Sequence, residues 1–363
     1  MNPILRSISR TLPLVVKRPF RTWVGHLEAP VTKDELTRSR EQASIPSFGF
    51  FFLLAAAATI ATLGLIADST AVIIGAMIVA PLMNPILSMA YSITTGNWTL
   101  YRRSILTLLL GIGITILLSF GLSRLMGVSV VGSEVLARTE PTLLDLGIAI
   151  AAGAAGGFAL TRASIANSIA GVAIAVALVP PLCVVGIGLE LGSSAVSPLR
   201  LSLGANSLAT GALLLFLANL AGIIFTACLV FLLQSYGSIQ AVLKGGLNWV
   251  LLVVLLCWPL WNSLREFIAT YEIEQAMVLL QKDTKGRPQE WLLGQLGVEL
   301  HGNRLNIEMG LFAEKGLISE GQIEALHDYL VDNIVRTKGV KQIKLKAFVS
   351  PIEVFTVEHT LTP

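Results

Sequence analysis

The sequence predicts an all-α polytopic membrane core of about seven helices, followed by a small C-terminal α+β soluble domain. Three observations carry this. The 363 residues are 54% hydrophobic and 13% charged, against roughly 25% charged in ordinary soluble domains. The charge is segregated: residues 47–264 hold 12 of the 49 Asp, Glu, Lys and Arg residues, and the remaining 145 positions hold 37. Within that charge-poor block lie seven apolar stretches, each approaching the ~20 helical residues that cross a ~30 Å hydrocarbon layer.

The elements follow in order. Residues 1–47 form a basic, partly amphipathic tail. Its first 25 positions carry Arg6, Arg10, Lys17, Arg18 and Arg21, no acid, and interleaved Leu, Ile, Val, Phe and Trp. This reads either as a plain basic tail or as an interfacial segment whose cations meet anionic lipid. It lacks the long apolar core of a secretory signal. Apolar stretches follow near 48–66, 69–93 and 104–126, then a connecting loop over 127–141. Three more follow near 142–160, 165–189 and 206–233. The last, near 247–264, lies in a segment spanning 234–267.

The second and fifth stretches each carry a double-proline interruption, Pro81-Leu82-Met83-Asn84-Pro85 and Val179-Pro180-Pro181. Proline has no N–H and clashes with the carbonyl four residues back. The carbonyls of Met77, Pro81, Val176 and Ala177 are therefore expected to lose their helical partners, which lipid cannot replace. Setting Pro81 on Pro180 also sets Asp68 on Asn167 and Ser69 on Ser168. Residues 48–126 and 142–233 thus read as two copies of a three-helix unit, with a seventh helix beyond them.

Three spans per unit make the second copy inverted. With the N-terminus cytoplasmic, Lys and Arg then divide twelve inside to three outside, which obeys the positive-inside rule. If the second and fifth stretches re-enter instead, the division is eleven to four and the copies are parallel. Both arrangements put the C-terminal domain opposite the N-terminal tail.

Residues 268–363 read as the soluble domain. Leu305, Ile307, Met309 and Leu311 alternate as in a half-buried strand, and so do Ile343, Leu345, Ala347 and Val349. Between them Ser319 and Gln322 resemble a capping box, followed by the helical face Ile323, Leu326, Leu330 and Ile334. A turn at 301–303 would pair 295–300 with 304–311. The expected order is α-β-β-α-β, in a ferredoxin-like sandwich.

The run Ile66-Ala67-Asp68-Ser69, continued by Val72-Ile73-Ile74-Gly75-Ala76-Met77-Ile78-Val79-Ala80-Pro81-Leu82-Met83-Asn84-Pro85-Ile86, together with Ala177-Leu178-Val179-Pro180-Pro181-Leu182, resembles an uncharacterised hydrophobic domain family of bacteria and archaea. That family is catalogued as domain of unknown function 389. The resemblance covers about 45–235. It implies an integral protein of a bacterial or archaeal membrane, the inner membrane or a thylakoid. It supplies no substrate and no catalytic residue.

Candidate functional residues cluster at the interruptions. Asp68 is one of few acids in the block. It reads as a cap on the following helix, with Asn167 as its counterpart, or as an ion- or proton-coupling group. Asn84 sits where carbonyls are expected to be free and reads as a ligand for a cation or polar solute, or as a brace for the kink. The path expected from these readings is lined by Asp68, Ser69, Met77, Pro81, Asn84, Pro85, Asn167, Ser168, Val176, Ala177, Pro180 and Pro181. Gly153 and Gly157 form a GxxxG pair for close helix packing, within one subunit or between subunits.

The function read from this pattern is a secondary transporter or channel for a small ion or small polar solute, since repeated discontinuous helices are a recurring transporter plan. The alternative is a membrane-anchored sensor or scaffold whose C-terminal domain binds a ligand or protein. No enzyme is expected: Asp68 and Asp145 are the only acids placed to pair, and neither lies in a catalytic motif. No nucleotide-binding loop is present, so no ATP-driven step is expected. No metal site and no cofactor are expected from Cys183, Cys228, Cys257 or the four histidines, whose spacings do not match ligand sets. The expected partners are the lipid bilayer, anionic lipid at the tail, and another copy of the chain through the seventh helix. A dispersed net charge of +3 gives no footprint for nucleic acid.

Overall fold

The computed structural model describes residues 30–128, 131–163, 178–192, 205–247, 249–258, 260–261, 291–301, 304–313 and 342–351. The chain divides into two compact units, the first holding the helices named below and the second three strands.

The first unit begins with a short amphipathic helix, α1 (Lys33–Ala43). It starts at Thr32, whose side chain accepts from the Glu35 amide, and buries only Leu36 and Arg40. Then comes α2 (Phe48–Ile66), capped by Ser47 and without a charge along its length. The second stretch is two helices, α3 (Thr70–Val79) and α4 (Met83–Thr95), bent by 53°. The long helix α5 (Trp98–Met126) runs from an Asn97 cap to Gly127, which adopts φ 62°. A single turn, α6 (Ser133–Leu136), precedes α7 (Leu143–Leu160), which opens on a capping box between Thr142 and Asp145. Next are α8 (Val179–Leu191) and α9 (Ala205–Leu233).

Four of these helices, α2, α5, α7 and α9, are long and apolar enough to cross a bilayer, and up to six spans result if each bent pair counts as one. The seventh expected helix differs from its prediction. It is a bent pair, α10 (Ile239–Gly245) and α11 (Trp249–Trp258), at 61° to each other. Gly245-Gly246 separates the two, and two adjacent glycines give the backbone freedom to turn.

Hydrogen bonds define two ends of this unit. At one end Val31 donates to the Thr161 carbonyl after α7, and the Tyr236 hydroxyl after α9 donates to the Val31 carbonyl. Ser238 donates to the Thr94 carbonyl in the last turn of α4. We call this the strap end. At the other, the latch end, Asp68 and Thr70 meet α6. The 19 residues of α2, about 28 Å of helix, separate them.

In the centre lie α4 and α8, each 13 residues long. Nearly every residue of both is buried, from Pro85 to Thr94 and from Val179 to Gly188. Both pack against α5 and α9. Of these two partners, α5 is inside-out relative to a soluble helix. Leu106, Leu109, Leu117 and Leu125 of α5 are exposed, while its buried face is mostly hydroxyls and glycine. A leucine face turned outward is stable against lipid tails, not water.

In the second unit β1 (Trp291–His301) pairs antiparallel with β2 (Arg304–Ala313), and β3 (Gln342–Pro351) pairs parallel with β2. The sheet order is β1-β2-β3. These strands cover the segments 295–300, 304–311 and 343–349 that the sequence pattern marks as strands. The helices expected on either side of the β1–β2 hairpin and before β3 fall outside the described residues.

Candidate functional site

The sequence-predicted site residues do not gather at one place. Asp68 lies at the latch end, exposed, in the left-handed region at φ 52°. The following helix α3 begins after Ser69, whose side chain caps nothing. Asp68 instead reaches across the chain to α6. Its Oδ1 accepts from the Glu134 amide at 2.7 Å, and its Oδ2 accepts from the Ser133 hydroxyl at 2.9 Å. This corrects the expected cap on α3: the Asp68 carboxylate serves a helix 65 residues further on. Glu134 in turn accepts from the Thr70 hydroxyl and pairs with Arg138 at 2.8 Å. The donors hold both carboxyls below the usual carboxylate range, chiefly the Glu134 amide for Asp68 and the Thr70 hydroxyl for Glu134.

The first proline interruption breaks its stretch into two helices, as expected, with Pro81 in the gap between α3 and α4; at the second, the residues before Leu178 lie outside the described residues. Pro180 and Pro181 stand in the first turn of α8, where a missing N–H removes no helical bond. Pro85 stands in the first turn of α4. The Pro81 carbonyl, expected to be free, accepts from the Asn84 amide at 3.3 Å. Met77 is buried in the last turn of α3. Asn84 is half-buried in the first turn of α4. Asn167, Ser168, Val176 and Ala177 lie outside the described residues.

Gly153 and Gly157 lie on the face of α7 that packs against α9 of the same chain. A Cβ at Gly153 would come 2.6 Å from the Ile223 carbonyl oxygen, and one at Gly157 would come 3.2 Å from the Ala227 Cα. The same device joins α8 to α5, where a Cβ at Gly186 would lie 2.6 Å from the Ile116 carbonyl. Asp145 and Arg162 are likewise engaged within the chain: Asp145 in the α7 capping box, Arg162 donating to Gln234 after α9 at 2.8 Å.

The residues that sequence reasoning missed line α5. Ser104, Thr107, Gly111, Thr115, Ser119 and Ser123 fall three or four apart, on one face, and every hydroxyl bearer among them has no exposed surface. From Ser104 to Ser123 this face runs 19 residues, about 28 Å along the axis. Thr107 donates to the Ser44 carbonyl at 2.8 Å and Ser119 to the Cys183 carbonyl of α8 at 2.7 Å. The hydroxyls of Ser104 and Ser123, near the two ends, have no partner. The spacing was the signal: period 3.6 in small polar residues, inside a stretch otherwise legible only as apolar.

These features define a polytopic helical membrane protein in which α5 turns a polar face to the interior. Residues 77–225 match the family model of a domain of unknown function, DUF389, which bears out the resemblance drawn from the Pro81 and Pro180 runs. The chain is also 32% identical over 178 residues to the uncharacterized protein MJ0678 of the archaeon Methanocaldococcus jannaschii. That alignment covers 49% of this chain and spans about half, 51%, of the relative.

Proposed function

We propose that the helical unit is a secondary transporter or channel, moving a small ion or small polar solute along the hydroxyl face of α5 between the proline-headed helices α4 and α8. One observation carries the reading: a ~28 Å line of buried hydroxyls on a helix whose other side is leucine. Hydroxyls both donate and accept, so they serve a dehydrated solute of either polarity. The half-buried Asn84 amide and Pro180-Pro181 at the head of α8 flank this path. Asp68, with both oxygens already occupied at the latch end, is read out of it.

The arrangement of ends favours the inverted seven-span reading. The α3–α4 pair starts beside Glu134 at the latch end and finishes beside Ser238 at the strap end. In the second copy α8 approaches the start of α9, where a Cβ at Gly188 would lie 2.8 Å from the Ala209 amide, and α9 finishes at the strap end. The strap end, next to Arg102, Arg103, Arg162 and Lys244, would face the cytoplasm of a prokaryotic cell by the positive-inside rule.

The test is flux into proteoliposomes for a panel of monovalent ions, phosphate and small neutral solutes. Wild type is expected to move at least one of them. Thr115→Leu, midway along the hydroxyl face, is expected to abolish that flux, and Leu117→Ala, on the exposed side, to leave it unchanged. Equal flux in wild type and Thr115→Leu would refute the path. Absence of any flux in wild type would favour the sensor reading.

A further inference from the structure

We propose that Arg40 anchors a binding site for a phosphate-type oxyanion, taken from solution as inorganic phosphate or held as a phospholipid headgroup. The site goes beyond the conduction reading and does not depend on it.

Helix α1 is charged on nearly all sides. Lys33, Asp34, Glu35, Arg38 and Glu41 are all exposed. Arg40 alone among its charges turns inward, one helical turn after Leu36, and is 6% exposed. A guanidinium carries five N–H donors in a rigid plane and accepts nothing. Here Nη2 donates to the Ser39 hydroxyl at 3.0 Å, while Nε and Nη1 have no acceptor. Among the described residues no carboxylate is paired with the Arg40 guanidinium. Burial pushes the Arg40 pKa down to about 10, and no acid opposes that shift. The group is still a cation at neutral pH. A buried cation without a counter-ion carries a heavy desolvation penalty, and breaking such a pair is among the costliest changes known. The geometry therefore asks for an anion.

The surroundings fit one. Ser88 of α4 donates to the Arg40 carbonyl at 3.2 Å, and Thr107 of α5 donates to the Ser44 carbonyl one turn further along the chain. Both helices are thus drawn to the last turn of α1. Ser104, one turn before Thr107 on the same buried face, keeps an unpartnered hydroxyl. Two unfilled N–H groups on one rigid plane suit an anion with at least two acceptor oxygens better than a single spherical halide. Guanidinium–phosphate bonds are charge-assisted and often bidentate.

The experiment uses the full chain in non-ionic detergent. Equilibrium dialysis against radiolabelled inorganic phosphate reads the free-anion source. Native mass spectrometry reads retained phospholipid. Wild type is expected to hold one equivalent of one or the other. Arg40→Gln is expected to weaken phosphate binding at least tenfold, or to lose the retained lipid. Arg38→Gln, on the exposed side of the same helix, is expected to match wild type. If Arg40→Gln does not fold, Arg40→Lys decides: it keeps the cation, loses the planar fork of donors and is expected to weaken binding several-fold. Wild type holding neither species, or Arg40→Gln or Arg40→Lys binding as wild type does, overturns the site.

Discussion

The hydroxyl of Ser119 donates to the carbonyl of Cys183 at 2.7 Å. This bond joins the polar face of α5 to the first turns of α8, beside the point where Gly186 lets the two backbones meet. A buried interhelical bond of this kind contributes about 0.6 kcal/mol in membrane proteins. Ser119→Ala is therefore expected to lower stability only slightly, and Gly186→Leu to lower it far more. Unfolding curves in detergent compare the two directly. Equal losses would mean that α8 and α5 are held by something other than this close approach.

The α7–α9 contact supplies a graded prediction. Gly153→Ala places a methyl group 2.6 Å from the Ile223 carbonyl, whereas Gly157→Ala meets its nearest atom at 3.2 Å. Overpacking of a tight interior commonly costs about 1–3 kcal/mol. Gly153→Ala is expected near the top of that range and Gly157→Ala near the bottom or below it, by thermal melts of the purified protein. The reverse order would show that the helices separate where the structure brings them closest.

The latch predicts a pH dependence. Asp68 and Glu134 both titrate below the ordinary carboxylate range when folded. A depressed folded pKa contributes stability that is complete above the unfolded value, near 4, and is lost as pH falls through the folded value. The loop over 127–141 is therefore expected to become more sensitive to an acid-active protease as pH drops below about 4. Asp68→Ala is expected to show that sensitivity already at neutral pH. Flux and its pH dependence are expected to survive Asp68→Asn, whose side-chain oxygen still accepts from the Glu134 amide. Loss of pH-dependent flux in Asp68→Asn would return Asp68 to the path.

The membrane class was legible at once, because a 218-residue block with 12 charges has few stable settings other than lipid. The prolines were legible as chain interruptions but not as helix starts. A helix lies on each side of Pro81, and the 53° bend between them is set by packing that the local apolar sequence does not state. The role of Asp68 was hidden for a different reason: its partners, Ser133 and Glu134, are 65 and 66 residues away, and no periodicity links them.

The sequence by itself determined the solvent of the core, the positions of the charges and the places where helices must stop, since each follows from composition or from what a single residue forbids. Only the tertiary structure decided which side of α5 faces inward and where Arg40 goes. Six small residues from Ser104 to Ser123 and one arginine in a polar helix are each compatible with exposure. Packing of α5 against α4 and α8, and of α1 against α4, removes their access to solvent and leaves Arg40, Ser104 and Ser123 with donors that no described residue fills. Burial without a partner is a property of contacts between distant segments, so it is written in no local stretch of the chain.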